Sequence, residues 1–480
     1  MVRFPNPIRL LILAIGQTLA RAGLVSPEHV RRTTDLSWPR IVTGLARMSK
    51  NAVDVAMVGL AVGPVAIAGV GFASPYWGLA FTLGGGIAAG TIALVSQRFG
   101  AEAFDELGQA VRASVAVVVA ISLPVAAVFW LVPAELVSLM TDDARTVELG
   151  ATYLRTLALG VPFAGLNLVG SRIYIGADDA WTPMVVRGGG AVSNIALSGV
   201  LIFGLGMGVA GAALGTVLAN VLVTATFAGG LVAGRLPVVG DLPVQVNPFG
   251  TYLDRETIAD VVRIGLPVVG RNGVWTVAKF PTLAIVGLFG PSVVAAYVIS
   301  RRILGLMNTP GWGFGLASSS LVGQHLGQHD EAKAESFARD IVIFSVATYV
   351  VAAVVVALFA EPIVHLFVGD ASDPSVPVAV ALVYAACVAV IAQGVKSATA
   401  GPLDASGDTR WPFYSQAIGM FGFAIPLAYL GATTSLGLVG LYLSFTAESF
   451  VPAAINYYRF STGKWKTISR EFRPGSPADD

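Results

Sequence analysis

Long apolar runs separated by short polar stretches set the pattern of this chain. They fall at about 39–60, 64–97, 107–132, 147–171, 183–203 and 208–233, and again at about 262–288, 291–324, 336–360, 376–401, 412–430 and 437–458. About 20 such residues in a helix cross a hydrocarbon layer about 30 Å thick. Only a helix or a closed barrel satisfies every backbone group in lipid, and runs of this length predict helices. The predicted fold is an all-α polytopic membrane protein with twelve transmembrane helices. In residues 1–35 the apolar run Ile8–Leu13 is too short to span, and the segment predicts an amphipathic helix lying on the membrane surface. Residues 36–234 and 261–460 read as two six-helix bundles. The polar stretch 235–260, with Pro237, Pro243 and Pro248, reads as a cytoplasmic linker, and 461–480 as a cytoplasmic tail.

The two halves repeat. Gly63-Pro64 recurs as Gly290-Pro291, Gln97 and Gly100 as Gln324 and Gly327, Arg112 as Arg339, and Asp179 and Pro183 as Asp408 and Pro412. The shift stays nearly constant, which marks an internal duplication. An even number of spans in each half gives both the same orientation. The repeats then relate by an axis along the membrane normal, as two pseudo-symmetric six-helix bundles around a central cleft.

Composition agrees with burial in lipid: 55% of the 480 residues are hydrophobic and 12% charged, with mean hydropathy +0.73. Thirty Lys and Arg nearly cancel 29 Asp and Glu, so no basic bulk points to nucleic acid. Cys387 is the single cysteine, which excludes an internal disulfide framework or a cysteine metal cluster. With the N-terminus inside, inner loops and tail hold Arg98, Arg172, Arg235, Arg255, Lys333, Arg410, Arg459 and Lys464, whereas outer loops hold Glu135, Asp142, Asp143, Glu361, Asp370 and Asp373. That bias predicts cytoplasmic termini. The membrane is expected to be the plasma membrane, of a prokaryote.

Asp54 is the first candidate for chemistry. At about 1.5 Å per residue it lies roughly 22 Å beyond Pro39, short of either surface. An unpaired carboxylate there costs about 2.5–3.5 kcal/mol or more, so such acids face a partner or a cavity. It either captures a cation or forms a structural pair with Lys50 one turn earlier. Arg47 is read as snorkelling or pairing locally rather than taking part in coupling. Asn194 and Ser198 share a helix face. Asn167 is placed in the cavity or in packing. The second half carries Arg271, Lys279, Arg301 and Lys396; Lys279 is expected to pair with Glu448, and the run 376–401 holds no carboxylate.

Several motifs together resemble the multidrug and toxic compound extrusion (MATE) family: Val53–Leu60, Ser96–Ala101, Asp178–Met184, Asn194–Gly204 and Ser406–Pro412, over roughly 36–460. The resemblance implies a monomeric secondary transporter exporting amphipathic, often cationic, organic compounds in exchange for inward Na⁺ or H⁺, without a cofactor. It matches Asp54 to the family's first-helix acid and Asn194 to its asparagine. Ala212 and Thr216 take the positions of a carbonyl and a hydroxyl ligand. Ser198 stands where relatives often carry a second carboxylate, and Trp275 about where some carry a glutamate. The implied coupling site is Asp54, Asn194, Ser198, Ala212 and Thr216, with Asp54, Asn194 and Thr216 as the Na⁺ ligands if sodium couples. Oxygen ligands suit a hard cation. Asn167, Lys279, Arg301 and Lys396 are the candidates for the substrate cavity. The same basic set leaves a second reading, a lipid-linked oligosaccharide flippase binding a pyrophosphate headgroup.

Gly206-x-Gly208-x-x-Gly211 mimics a dinucleotide fingerprint but follows no strand. His325 and His329 are expected to be solvated at a helix end. Neither HExxH, GxSxG nor GxxxxGK occurs, so an enzyme is not expected and transport must draw on an ion gradient.

Overall fold

The computed structural model describes residues 6–368 and 372–474; the outer-loop Asp370 lies outside the described residues. Helix α1 (Pro7–Arg21) opens on Asn6, whose Oδ1 accepts from Ile8 N at 2.9 Å. Helix α2 (Pro27–Val62) begins well before Pro39, so the expected surface helix over 1–35 is instead a short helix followed by the first turns of a long one. The polar residues of those turns have protein partners. His29 Nδ1 lies 2.6 Å from Asp340, and Arg32 donates to Gln324 at 2.8 Å. Arg9 pairs with Asp35 at 3.0 Å.

The first half continues with α3 (Pro64–Gly100), α4 (Phe104–Leu131), α5 (Pro133–Ser138), α6 (Ala144–Ala158), α7 (Val161–Gly176), α8 (Trp181–Gly199) and α9 (Gly208–Ala233). The stretch 235–260 holds a two-residue antiparallel strand pair, Arg235–Leu236 with Gly240–Asp241, before α10 (Arg255–Gly287) starts. The second half adds α11 (Pro291–Met307), α12 (Thr309–Gly327), α13 (Glu331–Leu358), α14 (Ala360–His365), α15 (Ser375–Ala405), α16 (Arg410–Ala417), α17 (Ile425–Thr433) and α18 (Leu438–Ser461). Among the described residues eight helices are long and apolar enough to cross a membrane. A ninth counts when α6 and α7, bent by 52° at the break over residues 159–160, are taken as one span. Spans one and seven carry charges in mid-helix, and span eight breaks at Asn308, ahead of Pro310.

The backbone repeats as the sequence does. Helices α4 and α13 match at a shift of 227, as do α5 and α14. Left-handed turns recur in the same pairs: Gly63 (φ 102°) and Gly290 (φ 97°), Glu102 (57°) and His329 (60°), Asp178 (65°) and Gly407 (84°). Residues other than Gly, Asn, Asp and His rarely adopt such φ, so Glu102, matched by His329, marks a turn that the duplication has kept. Each half also holds a π-helical segment in its fifth span, Val200–Gly204 and Ile418–Ala424.

By contacts the chain divides into Val42–Val269 and a unit made of Met1–Ile41 with Gly270–Asp480. In the first unit glycines bring backbones together. A Cβ on Gly84 would stand 3.2 Å from Gly165 Cα, and one on Gly86 2.8 Å from the Gly265 carbonyl. In the second unit the tail docks through helix α19 (Lys464–Ser469). Trp465 is fully buried beside Phe460, Lys466 pairs with Glu335 at 2.7 Å, and Arg470 and Arg473 both reach Glu331.

Candidate functional site

Asp54 is the buried polar residue on a stretch of α2 whose neighbours Asn51, Ala52, Val55 and Ala56 are exposed. One turn back, Lys50 Nζ lies 2.7 Å from Asp54 Oδ2, so the structural pair forms. The pair does not stand alone. The Asn194 amide from α8 lies beside the carboxylate, its nitrogen donating to Oδ1 at 3.0 Å and facing Oδ2 at 3.3 Å. Its oxygen then accepts from Thr216 N at 3.1 Å and Oγ1 at 3.0 Å. The partners fix this orientation of the amide. Thr216 Oγ1 also lies 3.4 Å from the Lys50 ammonium.

Helices α8 and α9 can present these groups together because Gly215 has no side chain. A Cβ there would stand 2.8 Å from Ser198 N and 2.9 Å from its Cα. Ser198 is fully buried, and its hydroxyl has no hydrogen-bond partner among the described residues. Ala212 packs with Val58, Ala66, Val70, Ile202 and Val209, with Met57, Leu149 and Tyr153 against them, an apolar wall beside the polar group. Just past Ser198 the π-helical turn, with Leu205 N bonded to Val200 O at 3.0 Å, interrupts the helix. Such turns recur at functional sites. Among the described residues no three His, Cys, Asp or Glu side chains converge, so any cation held here relies on one carboxylate and neutral oxygens.

Asn167 joins a different network: its Nδ2 donates to Asn220 Oδ1 at 2.7 Å and its Oδ1 accepts from Thr224 at 2.7 Å. Asn220 in turn donates to the Thr216 carbonyl at 2.8 Å, which links the network to the Asp54 cluster through α9.

The second unit gathers the other candidates. Glu448 on α18 pairs with Arg301, not with Lys279, at 2.7 Å. The Arg301 guanidinium lies 5.6 Å from the Tyr297 ring and 5.4 Å from that of Phe445. Trp275 donates its indole N–H to Glu448 at 3.2 Å, so at the position expected of a glutamate the chain instead holds a donor to a carboxylate from span twelve. Lys279 rests its ammonium 3.6 Å from the centre of the Trp275 ring. Arg271 forms a two-pronged pair with Asp404, at 3.0 and 3.1 Å. Asp404 was not anticipated: α15 runs through Pro402 to Ala405 and carries this carboxylate on its last turn. His325, expected in solvent, is buried, stacked on Phe337 and bonded to Gln328 at 2.9 Å.

Against known proteins, the MatE family model matches residues 39–200 and 267–430, the two halves of the repeat. The chain belongs to the MatE family. It is 27% identical to the "Probable multidrug resistance protein NorM" of Bradyrhizobium diazoefficiens, over 89% of this chain and 92% of that one. It is 26% identical to the multidrug resistance protein PmpM of Pseudomonas aeruginosa, over 87% and 86%. Among solved structures, one is of a MOP superfamily transporter from Pyrococcus furiosus, for which reverse polarity of the binding pocket is reported to suggest a different function. It superposes with a TM-score of 0.82 at 23% identity, over 91% and 96% of the chains. A MATE structure in a bent conformation gives 0.82 at 21% identity, over 97% and 99%. These likenesses establish a twelve-helix MATE fold for the MatE chain.

Proposed function

We propose that this MatE protein is a secondary active multidrug exporter of the plasma membrane, moving amphipathic organic compounds outward against inward Na⁺ or H⁺. The observation that carries the reading is a buried carboxylate at membrane depth, touched by an amide from α8 and an ammonium that also meets a hydroxyl of α9. A proton neutralises Asp54 and frees Lys50. A sodium ion takes the place of the Lys50 ammonium among the Asp54, Asn194 and Thr216 oxygens, with the Asn194 amide turned to present its oxygen. Either event ends the charge pair and changes how α2 is held against α8 and α9, which is the differential interaction that a coupled conformational change requires.

The test is efflux of ethidium from proteoliposomes under an inward Na⁺ gradient or a pH jump. One of the two drives it in the wild type, and neither does in Asp54→Asn at equal protein content. Full gradient-driven efflux in that variant refutes the reading. The flippase reading rests on the basic side chains Arg271, Lys279, Arg301 and Lys396. Translocation of a lipid-linked oligosaccharide headgroup that is lost in Lys279→Glu favours it over export.

A further inference from the structure

The second unit holds more positive than negative charge at membrane depth. Lys279, Lys396 and Glu448 each lie about 12–15 Å from the nearer end of their helix, near the middle of a layer about 30 Å thick, and Arg301 lies about 9 Å from the end of its own. Spans seven and ten run in opposite directions. Arg271 meets Asp404 at 3.0 Å, and Lys279 and Lys396 each lie eight residues from that pair, in opposite senses along their helices. The two lysines therefore stand at one depth. Asp404 and Glu448 are the carboxylates of this group, and arginines occupy both of them. Neither lysine has a carboxylate within ion-pair distance among the described residues. Glu448, the acid whose charge reaches both lysines, is already paired with Arg301, and a lysine with no ion pair of its own is costly inside a membrane, so the site favours an incoming negative charge. Trp275 adds an exposed aromatic face directly beneath the Lys279 ammonium.

We propose that this face of the second unit binds the anionic group of an amphipathic molecule, with Lys279 and Lys396 taking the charge and Trp275 the adjoining apolar part. This rests on the export reading and deepens it by adding a substrate class opposite in charge to the organic cations that the family resemblance implies. The Arg301–Glu448 pair positions the site, since Glu448 holds the Trp275 indole.

Binding is measured on the purified full-length protein in nanodiscs with no ion gradient. The probes are nalidixate as a soluble carboxylate, dihexanoyl phosphatidylglycerol as a lipid phosphate, and ethidium as a cation. At least one anion is expected to bind, more weakly as salt is raised, and the tighter of the two names the source. Lys279→Gln and Lys396→Gln each weaken anion binding about tenfold or more, as loss of a charged contact does, while Lys279→Arg and Lys396→Arg retain it. Retained binding in the arginine variants shows that the site itself tolerates substitution. Binding of ethidium but of neither anion overturns the proposal, as does anion binding that both glutamine variants leave unchanged. Because no gradient is applied, these outcomes are separate from a failure of export, which would appear as wild-type proteoliposomes that no Na⁺ or pH gradient drives.

Discussion

The Asp54 cluster and the Glu448 cluster occupy the two halves of one duplicated chain, yet they are built to opposite charge rules. The first has one acid, one lysine and neutral oxygens from Asn194 and Thr216, balanced and compact. The second has Asp404 and Glu448 against Arg271, Lys279, Arg301 and Lys396, with both acids locked by arginines. Arginine stays charged under all ordinary conditions and grips a carboxylate through a rigid fork, whereas a lysine ammonium is a mobile point charge. A carboxylate held by a lysine is thus easier to free than one held by an arginine. Duplication supplied the scaffold twice, with a lysine as the counter-ion of the acid in one half and arginines as those of the acids in the other.

The largest way to break the comparison is to remove the lysine-paired acid. Asp54→Asn is expected to abolish gradient-driven efflux with expression intact, whereas the same amide change at Glu448 acts mainly on stability. Glu448→Gln leaves the Arg301 charge without its carboxylate, and losing one partner of a buried pair costs about 3–5 kcal/mol. It should appear as a marked fall in the thermal unfolding temperature. Replacing both residues with Met recovers much of that loss, since an apolar pair carries no stranded charge. A Glu448→Gln protein as stable as wild type would show that the pair is no structural lock.

A smaller effect tests how the first cluster is assembled. Gly215→Ala sets a methyl group 2.8 Å from Ser198 N, which backbone cannot yield cheaply. Overpacking of this kind costs about 1–3 kcal/mol. Here it also moves Thr216 away from Asn194, so transport is expected to fall along with stability. Gly229→Ala, on the same helix with open space around it, should change neither; equal effects at both glycines would remove the packing argument.

What was legible in the sequence, and what was not, divides along the range of the interactions. Twelve runs of about 20 apolar residues announce twelve spans, because length alone decides whether a helix crosses lipid. Asp54 stood out for the same reason, as an acid among apolar neighbours. Its contact with Lys50 follows from helical spacing. Arg271 and Asp404 are 133 residues apart, and no periodicity relates them; the apolar run also stops at residue 401, short of Asp404. Lys279 looked like the partner of Glu448 by charge alone, but Arg301 from a third helix takes that place. His325 was misread because its burial comes from the Phe337 ring of the next helix. The polar start of α2 looked interfacial because its partners, Asp340 and Gln324, lie some 300 residues away.

The finest comparison lies where the two halves match backbone for backbone. Helix α13 starts after Asp330, whose Oδ1 accepts from Lys333 N at 2.9 Å. Helix α4, at the same place in the repeat, starts after Ala103, which has no side-chain acceptor. The two capping residues have nearly the same conformation, φ −96°, ψ 74° for Asp330 and φ −85°, ψ 68° for Ala103. A carboxylate grafted at 103 therefore finds the geometry that already works at 330. Loss of an N-cap acceptor costs about 1 kcal/mol. Asp330→Ala should destabilise by about that amount, and Ala103→Asp should stabilise by somewhat less, because Asp105 and Glu106 already put negative charge on that helix start. Thermal unfolding of the two variants and their combination reads the difference. Near-additive shifts of opposite sign are expected for two distant, independent sites; a destabilised Ala103→Asp protein would mean that the matching backbones hide unlike surroundings.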